Sequence, residues 1–252
     1  MRVFVFLAAA TLAAQQPTFE VATVKPSTPE ERGIGMLVYA GGRMTITNYT
    51  LRMLVHDAYL VQDFLIEGGP KWANEDRYSI TATPPPGSKA SKVNPSNPKL
   101  PPIEEERQML QALLAERFKL VVHEEMKEGP VLALVAGAQG HKMKPAEQAD
   151  AYPVVVYGRT GNADRPDFLN GINATMDMLA RRIADMMKRP VVNQTGIAGA
   201  FDFKFEYVQG LSDEAQGPSM ITAVQEIGLK LVPAKASVRH VVIDKAEKPS
   251  AN

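Results

Sequence analysis

The chain carries two similar stretches, Asn48-Tyr49-Thr50-Leu51-Arg52-Met53-Leu54 and Asn173-Ala174-Thr175-Met176-Asp177-Met178-Leu179. From each stretch onward, apolar residues recur three and four positions apart, which is the spacing of one buried helix face. Thr50 and Thr175 stand just before these patterns, where a threonine oxygen can accept hydrogen bonds from the first helical turn. We interpret the two stretches as one motif used twice, so the sequence indicates an internal duplication.

The segments behind the two motifs also correspond. Alternating apolar residues predict strands at 78–82 and 201–207, and helices are predicted around 104–118 and 220–227. Other strands are expected at 19–24, 44–47, 118–121, 131–135, 154–157, 229–232 and 238–243. This order predicts an α+β fold of two related small lobes, each with two helices packed on a short mixed or antiparallel sheet.

The sequence pattern predicts four segments along the chain. Residues 1–14 are predicted to be a signal peptide, 15–136 the first lobe, 137–150 a connection and 151–252 the second lobe. Two such lobes can leave between them a groove of the kind that binds ligands, or the duplication can simply have built a larger core.

The first residues decide the expected location. Met1 and Arg2 precede a short apolar run that ends in small residues at Ala13-Ala14, which is the layout of a signal peptide. The run is shorter than the ~20 residues that a membrane-spanning helix needs, and no later segment approaches that length. We therefore expect an extracytoplasmic protein, periplasmic or secreted, with no integral membrane segment after signal cleavage.

Composition excludes several classes of protein. The chain has no cysteine, so a lipoprotein anchor, a disulfide scaffold and a cysteine nucleophile are all excluded. Its 28 basic residues balance its 28 acidic residues, so no strong positive field attracts nucleic acid or an anionic membrane. We expect no nucleic-acid partner.

Motifs spread over most of the chain carry a resemblance to a known family. They are Phe19-Glu20-Val21-Ala22-Thr23-Val24-Lys25-Pro26, Gly68-Gly69-Pro70-Lys71-Trp72, Leu113-Leu114-Ala115-Glu116-Arg117-Phe118-Lys119-Leu120, Pro190-Val191-Val192-Asn193-Gln194-Thr195-Gly196 and Gly228-Leu229-Lys230-Leu231. With them the chain resembles an uncharacterised family of secreted soil-associated bacterial proteins of the acidobacterial type, with a domain of unknown function. The resemblance implies an extracytoplasmic location and no established activity.

Motifs for known chemistry are missing. His123-Glu124-Glu125 is not followed by the second histidine of a zinc hydrolase, and the sequence contains neither a Gly-x-Ser-x-Gly elbow nor a phosphate-binding Gly-rich loop. We therefore assign no catalytic, cofactor-binding or metal-binding residue. Trp72, the single tryptophan, is our one candidate for ligand contact, either as a stacking platform for sugar or peptide or as an anchor of the core.

These observations favour a non-enzymatic binding module that recognises an envelope protein, a peptide or a wall fragment, without a cofactor. The alternative is a secreted hydrolase of unrecognised type, whose carboxylates or scattered histidines meet where the lobes join. A cluster of His123, Glu125 and another polar residue in a cleft would favour the hydrolase, whereas a groove lined by apolar and backbone groups would favour binding. A purely structural envelope component would have neither a cleft nor a ligand.

Overall fold

The computed structural model of the chain describes residues 16–92, 101–148, 151–158, 166–208 and 217–250, so the predicted signal segment lies outside the described residues. The first half, up to residue 136, contains β1 (Val21–Pro26), β2 (Gly35–Val38), β3 (Met44–Thr50), α1 (Leu51–Tyr59), β4 (Ile66–Gly68), β5 (Arg77–Thr83), α2 (Glu104–Arg117) and β6 (Val121–Ala136). The second half contains β7 (Lys144–Pro145), β8 (Val154–Gly158), β9 (Asp167–Ala174), α3 (Met176–Met187), β10 (Val191–Asn193), β11 (Phe201–Tyr207), α4 (Met220–Ala223) and β12 (Leu229–Lys245).

The helices α1 and α3 begin where the sequence predicts. The Thr50 hydroxyl accepts a hydrogen bond from the Met53 amide at 3.3 Å, and the Thr175 hydroxyl accepts one from the Met178 amide at 3.4 Å. Both threonines therefore satisfy an amide that the helix itself leaves without a partner. The two predicted N-caps are confirmed.

The described residues form three four-stranded sheets. The two outer sheets have the strand orders β1-β5-β3-β2 and β7-β11-β9-β8, and the central sheet has the order β10-β6-β12-β4. In the central sheet, β6 and β12 form one long antiparallel pair, in which Val121 lies opposite Lys245 and Ala136 lies opposite Leu229.

Each half adds a short strand to the long strand of the other half. β4 runs parallel to β12 at Val241–Ile243, and β10 runs parallel to β6 at 132–134. Each long strand also contributes side chains to the hydrophobic core of the other half. Val241 and Ile243 of β12 pack in the core of the first half, and Leu132 and Leu134 of β6 pack in the core of the second half. The halves are therefore interlocked through the central sheet.

The predicted fold class is wrong. The chain is a mixed α/β protein with three sheets of four strands among the described residues, and it does not place two helices on one short sheet in each half. The helix predicted around 220–227 is only one turn long, Met220–Ala223, so α3 is the single long helix among the described residues of the second half.

There is a physical reason why the sequence did not predict the central sheet. Pro130 and Pro233 suggest strand breaks, because proline cannot donate to a strand ladder. Both residues lie inside the long pair, at positions where no other described strand lies beside their own strand. β10 pairs with β6 only at 132–134, and β4 pairs with β12 only at 241–243. The missing amide protons can face the open side, so the segments predicted as separate strands form two continuous ones.

Candidate functional site

A cleft of about 330 Å³ opens where α1 of the first half meets α3 of the second half. We call it the α1–α3 cleft. It is lined by His56, Asp63, Tyr157, Arg182, Asp185, Met186, Lys188 and Tyr207. Nearby, Phe64 packs against both hydrophobic cores, so the cleft stands at the junction of the two halves.

His56 sits between two carboxylates at the first-half side of the cleft. Its Nδ1 lies 2.9 Å from Asp57 Oδ1, and its Nε2 lies 3.7 Å from Asp185 Oδ1 of α3. Burial lowers the pKa of His56, but the carboxylates of Asp185 and Asp57 outweigh burial and raise it to about 10. At neutral pH His56 is therefore an imidazolium cation whose charge is already balanced by acidic neighbours.

Tyr49 of β3 extends this polar chain into the first half. Its hydroxyl donates to the Asp57 carboxylate, and burial together with the negative charge of Asp57 raises the pKa of Tyr49. The order Tyr49, Asp57, His56, Asp185 thus links a strand and a helix of the first half to α3. Because each of these four side chains has a hydrogen-bond or ion-pair partner, the polar network holds the two halves in a fixed relative position.

The second-half side of the cleft carries two cations without acidic partners. Arg182 donates from Nε to the Val155 carbonyl at 2.9 Å, and its guanidinium carbon lies 6.0 Å from the centre of the Tyr157 ring. Lys188 is exposed at the left-handed residue that ends α3. Within the described ranges, neither Arg182 nor Lys188 forms an ion pair with an acidic side chain.

The two acids of the cleft do not neutralise these cations. Asp63 is held by Arg52, whose Nε lies 3.0 Å from Asp63 Oδ1, and Asp185 faces His56. The cleft therefore presents an excess of positive charge beside Tyr157, whose side chain is 53% exposed. Guanidinium and ammonium groups in such a setting can bind a carboxylate or a phosphate, and the exposed ring can cover an apolar group next to it.

Trp72, the predicted ligand contact, lies elsewhere. It is partly buried against the core of the first half, and its ring meets the Tyr78 ring edge-on at 6.4 Å between centres. Lys248 Nζ lies 5.9 Å from the centre of the Trp72 ring. Trp72 is not among the residues that line the α1–α3 cleft, and its contact with a ligand stays a prediction.

His123 and Glu125 do come together with a third polar residue, but on an open surface. His123 Nδ1 lies 2.8 Å from Asp244 Oδ2 and Nε2 lies 3.1 Å from Glu125 Oε1, and both carboxylates raise the pKa of His123. The chain of ion pairs continues through Lys127, Glu67 and His240 along the exposed face of the central sheet. In the described part of the chain, no group of three such side chains is placed to hold a metal ion.

The four histidines do not converge. His56 lies in the α1–α3 cleft, His123 and His240 lie on the exposed face of the central sheet, and His141 packs edge-on against Phe201 at 4.9 Å. Neither Arg182 nor Lys188 is a candidate site residue from the sequence alone. The available signal was the four basic residues Arg181, Arg182, Lys188 and Arg189 in the middle of α3 and just after it, but only the contact between the halves forms the cleft.

Among the described residues, none of the helices combines the length and apolar character that crossing a membrane requires. A family model described as a protein of unknown function (DUF3738) matches residues 52–246. Searches of curated proteins and of solved structures gave no match.

Proposed function

The chain belongs to this family, which assigns no activity, and we propose that it is a non-enzymatic binding module of the cell exterior. The module recognises an envelope protein, a peptide or a wall fragment through an anionic group, most simply a carboxylate, in the α1–α3 cleft. The signal-like residues 1–14 support the extracytoplasmic location, and the resemblance to secreted soil-associated proteins agrees with it.

One observation carries the proposal: among the described residues, Arg182 and Lys188 line the same cleft without acidic partners, while Asp63 and Asp185 are already engaged. A carboxylate bound between them would form charge-assisted hydrogen bonds, which are about twice as strong as neutral ones. Arg182 is also held in place, because its Nε bonds the Val155 carbonyl at 2.9 Å. A preorganised guanidinium loses less conformational freedom when the ligand arrives.

We also propose that the scaffold arose by duplication. The two outer sheets have the same strand order, and corresponding threonines begin α1 and α3. Asn48 and Asn173, two residues before those threonines, both have left-handed backbones with φ of 57° and 48°. Duplication accounts for a cleft at the junction, because two copies of one unit meet there through α1 and α3.

The alternative hydrolase finds less support in this site. A general base at neutral pH needs a pKa near 7, whereas two carboxylates raise the pKa of His56 to about 10 and keep it protonated. The cluster of His123, Glu125 and Asp244 lies on an exposed sheet face, and none of the three residues lines the α1–α3 cleft.

A pair of small ligands tests the proposal. The ¹⁵N-labelled protein is titrated with acetyl-Ala-Ala as the free acid and as the C-terminal amide, and backbone amide signals are followed. We expect the free acid to shift the signals of Tyr157 and Arg182 at millimolar concentrations and the amide to leave them in place. The double variant Arg182→Gln/Lys188→Gln should lose the response.

A charge-matched variant serves as the control. Arg43→Gln/Lys235→Gln removes one arginine and one lysine from exposed positions outside the cleft, and Arg43 likewise lies over a tyrosine ring, that of Tyr39, at 4.6 Å. The control should respond like the unaltered protein. Equal shifts with acid and amide, or a response that survives in the double cleft variant, would reject the proposed site.

A further inference from the structure

β8 leaves one side of its backbone open beside the cleft. It is the last strand in the sheet order β7-β11-β9-β8, and within the described residues only β9 pairs with it. The Val155 carbonyl accepts from Arg182 Nε, so that carbonyl points away from β9. Because the amide and carbonyl of one residue in an antiparallel strand point to the same side, the amides of Val155 and Tyr157 also face the open side.

This edge lacks the features by which proteins commonly block strand pairing. Residues Val154–Tyr157 contain no charge, proline or bulge, and the side chains of Val156 and Tyr157 are 37% and 53% exposed. The opposite edge of the same sheet, β7, is only two residues long and ends in Pro145. Val154 and Val155 are buried, so Val156 and Tyr157 form the exposed part of this edge. An apolar, regularly paired edge with such an exposed part is the type of strand that accepts a further strand.

The open edge and the two cations adjoin each other. Arg182 contacts β8 through its Nε, and Tyr157 of β8 lines the same cleft as Arg182 and Lys188. A bound strand that runs along β8 would therefore end at a positive charge. Among chain ends, the C-terminal carboxylate is the group whose charge complements this position.

We infer that the protein binds the C-terminal segment of an extended peptide, which adds to β8 as a fifth strand and places its carboxylate at Arg182 and Lys188. The inference rests on the proposed function and narrows its ligand to a peptide, because an extended peptide presents carbonyls at the spacing of the amides of Val155 and Tyr157. With about 3.4 Å per residue, the stretch from Val155, whose carbonyl contacts Arg182, to the end of β8 accommodates roughly three to four peptide residues.

The test uses libraries of random hexapeptides, prepared once as free acids and once as C-terminal amides, with the full mature chain and its Arg182→Gln variant. Peptides that bind the unaltered chain are resynthesised and their Kd is measured. We expect amidation or Arg182→Gln to weaken binding at least tenfold, while Arg43→Gln leaves Kd within twofold. Hydrogen exchange at the Val155 and Tyr157 amides should slow when the peptide is bound.

N-methylation along the peptide distinguishes strand addition from simple anion binding. Only every second amide of an added strand faces β8. Methylating those amides should weaken binding at least tenfold, and methylating the intervening amides should have little effect. If binding depends on the peptide carboxylate and on Arg182 but N-methylation at alternate positions has no alternating effect on Kd, the cleft binds an anion as proposed, and strand addition is wrong.

Two other outcomes would also overturn the inference. If no hexapeptide binds the unaltered chain better than the Arg182→Gln variant, the edge does not receive a peptide terminus. If the protein forms a concentration-dependent dimer in which Val155 and Tyr157 are protected without peptide, the edge pairs with a second copy of the chain. In either case the acetyl-Ala-Ala titration shows independently whether Arg182 and Lys188 bind a carboxylate.

Discussion

His56 Nε2 of α1 lies 3.7 Å from Asp185 Oδ1 of α3, and this ion pair joins the two halves of the chain beside the cleft. The contact connects residues that are far apart in sequence. It also holds the first-half wall of the cleft against the helix that carries Arg182 and Lys188.

The first prediction concerns the pH dependence that His56 introduces. Its pKa is raised from an ordinary value of 6.5 to about 10 in the folded chain, so its stabilising effect is complete below pH 6.5 and is lost as pH rises toward 10. Denaturant unfolding at intervals from pH 6 to pH 10 should show that the unaltered chain loses more stability than His56→Gln. His141→Gln, which alters a histidine packed on Phe201, should follow the unaltered chain. Parallel curves for all three proteins would contradict this assignment.

A second prediction concerns Glu106, which is fully buried in the first turn of α2. Its Oε2 accepts from the Ile103 amide at 2.9 Å, whereas Oε1 has no hydrogen-bond partner in the described part of the chain. Burial raises the pKa of Glu106 from 4.5 to about 7, so the folded state holds its proton more tightly than the unfolded state. The free energy of unfolding should therefore fall between pH 4.5 and pH 7, by on the order of 3 kcal/mol.

The variant Glu106→Gln tests this directly. Glutamine keeps an oxygen for the Ile103 amide and carries no charge, so we expect the variant to be more stable than the unaltered chain at pH 8 and to lose that advantage at pH 4.5. Glu116→Gln, at an exposed position of the same helix, should differ from the unaltered chain in stability by the same amount at both pH values. A Glu106→Gln variant that is less stable at both pH values would mean that the buried carboxylate is charged and compensated.

The third prediction uses the interlocked cores. Leu134 is fully buried in the core of the second half although its strand, β6, follows α2 of the first half. Leu134→Ala should lower stability by about 2–5 kcal/mol and speed hydrogen exchange in α3 more than in α1. Ile243→Ala, in the matching position of β12, should speed exchange in α1 more than in α3. The opposite pattern would contradict the exchange of strands between the cores.

The fourth prediction separates two roles of Asn48. Its backbone is left-handed at φ 57°, and its Nδ2 donates to the Glu31 carbonyl at 3.0 Å and the Gly33 carbonyl at 2.8 Å. Asn48→Gly removes the side-chain bonds but suits the backbone, whereas Asn48→Ala also places a Cβ in a strained conformation, which costs a further ~1–2 kcal/mol. Thermal unfolding should rank the unaltered chain above Asn48→Gly and Asn48→Gly above Asn48→Ala. Equal stability of the glycine and alanine variants would show that strain is unimportant there.

Local features could be predicted from the sequence, whereas features made by distant contacts could not. Thr50 and Thr175 cap their helices because the partner amide is three residues away, so the pattern contains all that the cap requires. The continuity of β6 past Pro130 depends on which strands lie beside it, and this information is absent from the local pattern. The α1–α3 cleft could not be predicted either, because Arg182 and Lys188 line a cleft only once α3 lies against α1 in the folded chain.

The exchange of strands also constrains how the protein is made. The first core is incomplete until Val241 and Ile243, near the end of the chain, have been synthesised. A nascent chain therefore cannot finish its first half and wait for the second, as a string of independent domains does. Two fragments cut between the halves would each expose an unfilled core, yet mixed together they should reassemble, since each carries the strand that the other lacks.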